Sequence, residues 1–269
     1  MRSAPQGAAP RLGALLDDTK TYACGYWTSD RPGYTVADAR RDRLNLIARS
    51  LRLAPDARLL DLGCGWGTLA LYAAERHKTL VTAVTADPEQ AAHVRQTARE
   101  KGLEDRIDVR CGTFRDLTDS AFDAVAAVAR GEHGDREPGV AYADFAAALH
   151  RKVRPGGRVL VQQLGPVPVR RAVALLDGSG LEVRSVESLR EHYARTVAAW
   201  HRTLERYGDA FAQLAGPETA REWQLHLAGA AGEFGDGPGG VDQILCTRPD
   251  AASESDGDAE SDADGVLRA

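Results

Sequence analysis

The sequence predicts an α/β protein with a seven-stranded, mostly parallel sheet, helices on both faces and a helical cap. Short apolar runs alternate with helical segments along the chain, and a glycine-rich turn directly follows the first run. Strands of parallel sheets are buried on both faces, so they form near-continuous apolar runs. Repeated strand–helix order is typical of a doubly wound, Rossmann-like architecture.

The predicted strands are short and most are apolar, and they cover residues 58–63, 80–86, 107–112, 122–129, 158–165, 180–189 and 241–249. Helices are predicted between them over 68–77, 88–102, 142–153 and 168–177, with a Pro-Gly-Gly turn at 155–157. A long helical segment at 189–234 precedes the last strand. We expect it to form a cap over the carboxyl edge of the sheet.

The 269 residues, 43% of them hydrophobic, are sufficient for one large core. We expect a single domain over 19–249, after a flexible segment at 1–18. The tail at 250–269 carries seven acidic residues and one arginine, so it holds −6 of the net charge of −5 and leaves about +1 for the rest. This composition predicts a disordered tail and gives no basic surface for nucleic acid.

Targeting and metal motifs are absent from the sequence. No run of 18 apolar residues predicts a membrane span, and the first 20 residues lack the pattern of a signal peptide, so we expect a cytoplasmic protein. The four cysteines are scattered without CxxC spacing, which argues against a metal centre or a disulfide scaffold.

A glycine loop follows the first predicted strand, in the segment LLDLGCGWGTLA. Gly63, Gly65 and Gly67 let a ligand approach the backbone closely and leave free N–H groups at a helix N-terminus. A dinucleotide fingerprint would have glycine where Thr68 stands, so NAD is disfavoured. Asp61, just before the loop, fits instead the D-x-G-x-G pattern of S-adenosylmethionine (SAM) methyltransferases.

Six stretches resemble the cyclopropane-fatty-acid synthases, including the mycolic-acid cyclopropane synthases, which are SAM-dependent enzymes. They are TYACGYW (21–27), LLDLGCGWG (59–67), VTAVTADPEQ (81–90), GEHGD (131–135), ESLREHYARTVAAW (187–200) and REWQLHLAGAAGEFGDGPGGVDQILCTRP (221–249). The similarity extends over about residues 19 to 249. Thr85 and Gln90 match the family where most methyltransferases carry an acid after the second strand.

The resemblance implies a cofactor site and a bicarbonate cage. The family's cofactor-binding positions correspond here to Tyr22, Ala23, Asp61, Gly63, Gly65, Thr85, Gln90, Thr113 and Phe114. The family also binds a bicarbonate ion as general base, in a cage that corresponds here to Cys24, Glu132, Gln162, Leu164 and Tyr193.

The resemblance also implies a role for Glu132, which follows the fourth strand, where ligands of parallel sheets bind. Methyl transfer to an alkene creates a carbocation that must lose a proton. A carboxylate can fix a base or stabilise the cation, and Tyr193 can offer its π face. An isolated loop glutamate is more often a solvated surface residue.

The chain departs from the family pattern in three places. Gln162 replaces a histidine, because the family's HTIG is QQLG here, and glutamine cannot titrate. An N-terminal HYDxxNDFF segment and a PGG-x-LPS segment of the lipid-facing cover are missing. We therefore expect at most weak peripheral membrane contact, with Val197, Trp200, Leu204, Phe211, Leu214 and Trp223 of the cap lining an apolar pocket.

The preferred function is methyl or methylene addition to an alkene of an unsaturated acyl or lipid-like substrate. Two alternatives remain at this point: a small-molecule C-methyltransferase or cyclopropanase of secondary metabolism, and a non-catalytic SAM-binding partner subunit. The acceptor, the use of bicarbonate and the oligomeric state are left open by the sequence.

Overall fold

The structure is a computed structural model that describes residues 23–130, 138–164, 167–235 and 241–250. Within these ranges the strands are β1 (Arg58–Leu62), β2 (Leu80–Thr85), β3 (Ile107–Cys111), β4 (Phe122–Arg130), β5 (Val153–Leu164), β6 (Glu182–Ser188) and β7 (Val241–Thr247). The helices are α1 (Val36–Leu51), α2 (Thr68–His77), α3 (Pro88–Glu100), α4 (Pro138–Lys152), α5 (Val169–Asp177), α6 (Arg190–Ala215) and α7 (Pro217–Gly235). The segment 1–18 and the tail from 251 onward lie outside the described residues.

All seven strands form one sheet in the order β3-β2-β1-β4-β5-β7-β6. The first five strands pair in parallel, whereas β7 runs antiparallel to both β5 and β6. One apolar cluster packs α1, α2 and α3 on one face of the sheet, and a second packs α4 and α5 on the other. The predicted mostly parallel sheet covered on both faces is confirmed.

The predicted Pro-Gly-Gly turn lies inside β5, which begins at Val153. The pairing of β5 with β4 shifts register here, because Phe122 pairs with Val153 but Ala124 pairs with Arg158. Gly156 has a φ of 71°, a value that suits glycine. The turn residues therefore form a bulge that bends the strand, and the ladder continues beyond them.

Helix α1 was not predicted from the sequence. It starts with a capping box, in which Thr35 accepts from the backbone of Asp38 and the Asp38 carboxylate accepts from the backbone of Thr35. Its buried face carries Leu44, Ile47 and Leu51, spaced as one stripe of a helix. The same face buries two arginines, Arg40 and Arg43.

Helices α6 and α7 form the cap, and α6 is kinked at Tyr207 (φ −117°, ψ 19°). A third apolar cluster joins them to the segment that carries Cys24. The expectation that six cap side chains line a pocket is wrong in detail. Leu214 is 64% exposed, and the other five are packed against one another in the cap's own core: Val197, Trp200, Leu204, Phe211 and Trp223. Among the helices described, none combines the length and apolar character that crossing a membrane requires.

Candidate active site

The glycine loop after β1 is tied to the end of β2. The backbone N–H groups of Gly63 and Cys64 both donate to the carbonyl of Val84, each at 2.9 Å. A Cβ at Gly67 would lie 2.7 Å from Val94 on α3, so this glycine allows close helix packing. A Cβ at Gly65 would meet nothing within 4 Å, and Gly65 has a φ of 55°. The loop is therefore tightly packed at Gly67 and faces open space at Gly65.

Asp61 lies at the carboxyl end of β1, next to this loop, and only 3% of it is exposed. Its Oδ2 is buried without a hydrogen-bond partner among the described residues. Burial raises the pKa of the Asp61 carboxyl to about 7, although the nearby Arg43 guanidinium acts in the opposite direction. An orphaned buried carboxylate beside a glycine loop fits a ligand that carries an ammonium group, as the amino-acid end of SAM does.

The residues predicted after β2 and β3 lie at the same edge. Thr85 donates to Gln90 Oε1 at 2.7 Å and accepts from the backbone of Asp87 at 3.2 Å, so the two predicted residues contact each other. Thr113 is exposed, and its hydroxyl is engaged with Asp116 in the loop after β3. The ring of Phe114 packs edge-on against Phe145, with centroids 5.6 Å apart.

Cys24 and Tyr193 both belong to the apolar cluster of the cap, and they are 5% and 4% exposed, respectively. Burial raises the pKa of the Cys24 thiol to about 12, so the group is a neutral thiol at physiological pH. The Tyr193 ring lies edge-on to Trp200, with centroids 6.3 Å apart. A buried aromatic ring beside a neutral thiol forms an apolar environment rather than a nucleophilic site.

The segment around Cys24 is fastened to α6 by polar contacts. Thr196 Oγ1 accepts from the backbone N–H of Gly25 and from the indole N–H of Trp27, both at 3.0 Å. The backbone N–H of Trp27 donates to His192 Nδ1 at 3.0 Å. These bonds fix the position of Ala23, which is half-buried, and of Cys24 relative to the cap.

Gln162 lies in β5, is 4% exposed, and is hydrogen-bonded to two other side chains. Its Oε1 accepts from Arg43 Nε at 3.2 Å and from Arg43 Nη2 at 2.9 Å. Its Nε2 donates to Gln243 Oε1 at 2.7 Å, and Gln243 Nε2 donates to Glu187 at 3.4 Å. Gln162 therefore has its acceptor oxygen turned towards a cation, and only its second amide N–H could serve an anion.

Three predicted site residues remain: Leu164, Tyr22 and Glu132. Leu164 is the last residue of β5, and its backbone pairs with Val241. Tyr22 and Glu132 lie outside the described residues.

Sequence reasoning missed the two arginines of α1. Arg43 also donates from Nη2 to the carbonyl of Val128 on β4 at 3.2 Å, and its charge acts on both Asp61 and Cys24. Arg40 lies one turn earlier, 6.0 Å from the ring centroid of Trp200. Burial, together with the Arg43 charge, lowers the pKa of Arg40 to about 10. The T-x-x-D capping box was a signal that could have revealed the helix, but the charged run ARRDR on it gives no sign that two of its arginines are buried.

A cleft of about 520 Å³ opens at the opposite edge of the sheet. It is lined by residues at the starts of strands, among them Arg58, Leu80, Ile107 and Phe122. Because ligands of parallel sheets bind beyond the carboxyl ends of the strands, we assign the candidate site to the other edge, around Asp61 and the glycine loop. Across the described ranges, no group of three or more His, Cys, Asp or Glu side chains is placed to hold a metal ion.

Comparison with known proteins identifies the family. The sequence profile described as mycolic acid cyclopropane synthetase matches residues 12–174 and 164–244. The chain belongs to this family. It is 34% identical over 265 residues to a probable fatty acid methyltransferase of Pseudomonas putida, covering 90% of this chain and 67% of that protein.

A second relative, a probable fatty acid methyltransferase of Mycobacterium tuberculosis, is 30% identical over 261 residues, which cover 88% of this chain and 59% of the relative. The chain thus spans about two thirds or less of the length of these two relatives. The crystal structure of the mycolic acid cyclopropane synthase CmaA1 complexed with SAH and CTAB superposes with a TM-score of 0.80 at 24% identity, covering 90% of this chain and 98% of that one.

Membership of the cyclopropane synthetase family confirms the family resemblance and the methyltransferase fold seen in the sequence. It also confirms the prediction of a SAM-dependent methyltransferase, because that is the activity of the matched family and the relative of 34% identity is a probable fatty acid methyltransferase. The unpaired Asp61 carboxylate and the open space at Gly65 fit this cofactor on structural grounds.

Proposed function

We propose that the chain transfers a methyl group from SAM to an alkene carbon of an unsaturated acyl chain. The main support for this proposal is that two regions meet around Arg43. One is the carboxyl edge of the sheet, where Asp61 lies, and the other is the apolar cluster of the cap. The Arg43 charge acts on Asp61 at the end of β1 and on Cys24 in the cap cluster. An apolar acceptor held beside Cys24 and Tyr193 would therefore lie close to the methyl donor.

The chemistry needs an environment that tolerates a carbocation. Attack of the alkene on the methyl group of SAM would form a carbon–carbon bond and break the sulfur–methyl bond, with SAH as the leaving group, and the positive charge of the sulfonium would move to the neighbouring acceptor carbon. A buried tyrosine ring can stabilise that charge through its π face, whereas a thiolate would trap it. Cys24 remains protonated and Tyr193 is buried, so both groups suit this intermediate.

A proton acceptor must then remove H⁺, either from the transferred methyl group to close a ring or from a neighbouring carbon to form a double bond. We assign this role to Glu132, the carboxylate after β4. Gln162 cannot titrate, and its oxygen is bound by Arg43, so the bicarbonate cage of the family lacks one of its partners here. We therefore propose that turnover does not require bicarbonate, and that Gln162→His introduces such a requirement.

The reaction is tested by incubating the protein with labelled SAM and a panel of alkenes. Mass spectrometry then detects products that have gained one CH₂ from the labelled methyl group. We expect Glu132→Gln and Tyr193→Leu to retain SAH affinity and to lose about 100-fold or more in methyl transfer, because both act only after the cofactor is bound. Tyr193→Phe keeps the aromatic ring and should retain most of the activity. Tyr207→Leu is the matched control, since Tyr207 is on the same helix and 49% exposed. Turnover by Glu132→Gln and Tyr193→Leu within a few-fold of the parent would rule out both roles.

We further propose that the acyl acceptor is soluble or carrier-bound rather than part of a bilayer. The tail adds a charge of −6, which anionic headgroups repel. Co-sedimentation with anionic phospholipid vesicles should show weak binding that rises modestly when residues 250–269 are deleted. Transfer to a soluble acceptor should be unchanged by the deletion. Tight vesicle binding with phospholipid as the best acceptor would refute this proposal.

A further inference from the structure

Two opposite charges are buried near each other at the candidate site without forming an ion pair. Arg43 is 7% exposed and Asp61 is 3% exposed. Each influences the pKa of the other, yet no nitrogen of Arg43 lies within 4.0 Å of the Asp61 carboxylate. The charges are close enough to interact through space and too far apart to neutralise each other by direct contact.

Both groups also retain unused hydrogen-bonding capacity. The bonds of Arg43 to Gln162 and Val128 use Nε and Nη2, and Nη1 makes no hydrogen bond to the described part of the chain. Asp61 Oδ2 has no partner there either. The bonds to Gln162 and Val128 hold the guanidinium in a fixed orientation, so its free edge is pre-organised.

Burying charged groups without partners is costly, and the cost falls when a ligand supplies the missing partners. A ligand that bridges these two groups must carry an anion for Arg43 and a cation for Asp61, a short distance apart. An α-amino acid has that arrangement, because its carboxylate and its ammonium are attached to the same carbon. Carboxylates also match the planar edge of a guanidinium.

We propose that Arg43 binds the carboxylate, and Asp61 the ammonium, of the amino-acid end of SAM. Arg43 is then a cofactor-binding residue, and the function of Gln162 is to hold its guanidinium in position. This inference depends on SAM being the cofactor and not on which alkene is methylated. Binding measurements therefore test it separately from the proposed function.

The test compares SAH with its decarboxylated analogue, in which an aminopropyl group replaces the amino-acid end. Calorimetry on the parent protein should show SAH binding about 10- to 100-fold more tightly than the analogue. Arg43→Met should lose that factor for SAH and bind the analogue as the parent does. Arg43→Lys should keep part of the preference. Arg41→Met is the matched control, because Arg41 is on the same helix with 61% of its side chain exposed.

Three results would overturn the assignment. The parent could bind SAH and the analogue equally well. This comparison uses the parent protein alone, so it remains decisive even if Arg43→Met does not fold. Arg43→Met could weaken both ligands by the same factor, which would make Arg43 a structural residue only. Finally, the parent and Arg43→Met could bind SAH with equal affinity, while bicarbonate raises the melting temperature of the parent alone. Arg43 would then bind a separate anion and not the cofactor.

Discussion

Arg43 donates two hydrogen bonds to the side-chain oxygen of Gln162, and thereby links α1 to the centre of the sheet. Gln162 and Gln243 are register partners, as are Gln243 and Glu187, so their side chains form a polar ladder across β5, β7 and β6. Tyr26 completes it by donating to Glu187 at 3.0 Å. The ladder thus connects Arg43, near Asp61, to the segment that carries Cys24 and Tyr26 and packs against the cap.

Breaking this ladder at Gln162 should destabilise the fold. Gln162→Leu removes the acceptor of Arg43 Nε and the donor to Gln243 Oε1, while Arg43 keeps its bond to Val128, and we expect a loss of about 3 kcal/mol in unfolding free energy. Urea denaturation measures it. Gln96→Leu is the control, because Gln96 is exposed on α3 and should change stability by about 0.5 kcal/mol or less. Equal urea midpoints for the two variants would show that the ladder adds no stability.

A second prediction separates ligand space from backbone strain in the glycine loop. Gly65 and Gly102 both have positive φ (55° and 63°), and an added Cβ meets nothing within 4 Å at either. Gly65→Ala and Gly102→Ala should therefore destabilise the fold similarly, by about 1 kcal/mol. Only Gly65→Ala should weaken SAH binding measured by calorimetry, by about tenfold or more, because only that Cβ occupies space next to the cofactor. Equal SAH affinity of both variants would exclude the loop from the site.

Sequence reasoning was accurate where local pattern decides structure. Apolar and alternating segments located each described strand, and Asp61 with its glycine loop pointed to the cofactor. Helix α1 was missed although its capping box is a local signal. Sequence reasoning otherwise failed where contacts between distant segments decide. Arg43 is a charged residue in a charged run, and only the packing of α1 against β4 and β5 shows that it is buried. Likewise Trp200 and Trp223 have the same apolar character whether they line a pocket or fill a core, and the structure places them in the core.

The third prediction concerns pH and Asp61. Its pKa is raised to about 7 by burial, so the folded protein favours the neutral acid more than the unfolded chain does. This contribution to stability is fully present below the unfolded pKa of about 3.9 and is lost as pH rises through 7. Asp61→Asn should thus raise the stability of the unliganded protein at pH 8 by on the order of 2 kcal/mol and leave it nearly unchanged at pH 4.

SAH affinity should follow the opposite trend with pH. The ammonium group needs the carboxylate, so SAH should bind the parent more tightly as pH rises from 6 to 8, whereas Asp61→Asn should bind weakly throughout. Thermal unfolding and calorimetry over this pH range measure both effects. Asp56→Asn is the control, because 72% of that side chain is exposed. A flat stability difference between Asp61→Asn and the parent would refute the titration.

The last prediction concerns the attachment of the Cys24 segment to the cap. Thr196 is fully buried, and its hydroxyl accepts from Gly25 and Trp27 while donating to the carbonyl of His192 at 2.7 Å. Thr196→Val keeps the shape and leaves two buried N–H donors unpaired, so we expect a loss of about 2 kcal/mol.

Hydrogen exchange gives a sharper readout, since the Gly25 amide should exchange faster in Thr196→Val and be restored in Thr196→Ser. Thr203→Val is the matched control on the same helix, because within the described residues the Thr203 hydroxyl bonds only to the carbonyl of Ala199, one turn earlier. If both valine variants protect the Gly25 amide equally, the Thr196 hydroxyl does not hold the segment in place. Faster exchange in Thr196→Val alone would show that this hydroxyl fixes the Cys24 segment against the cap.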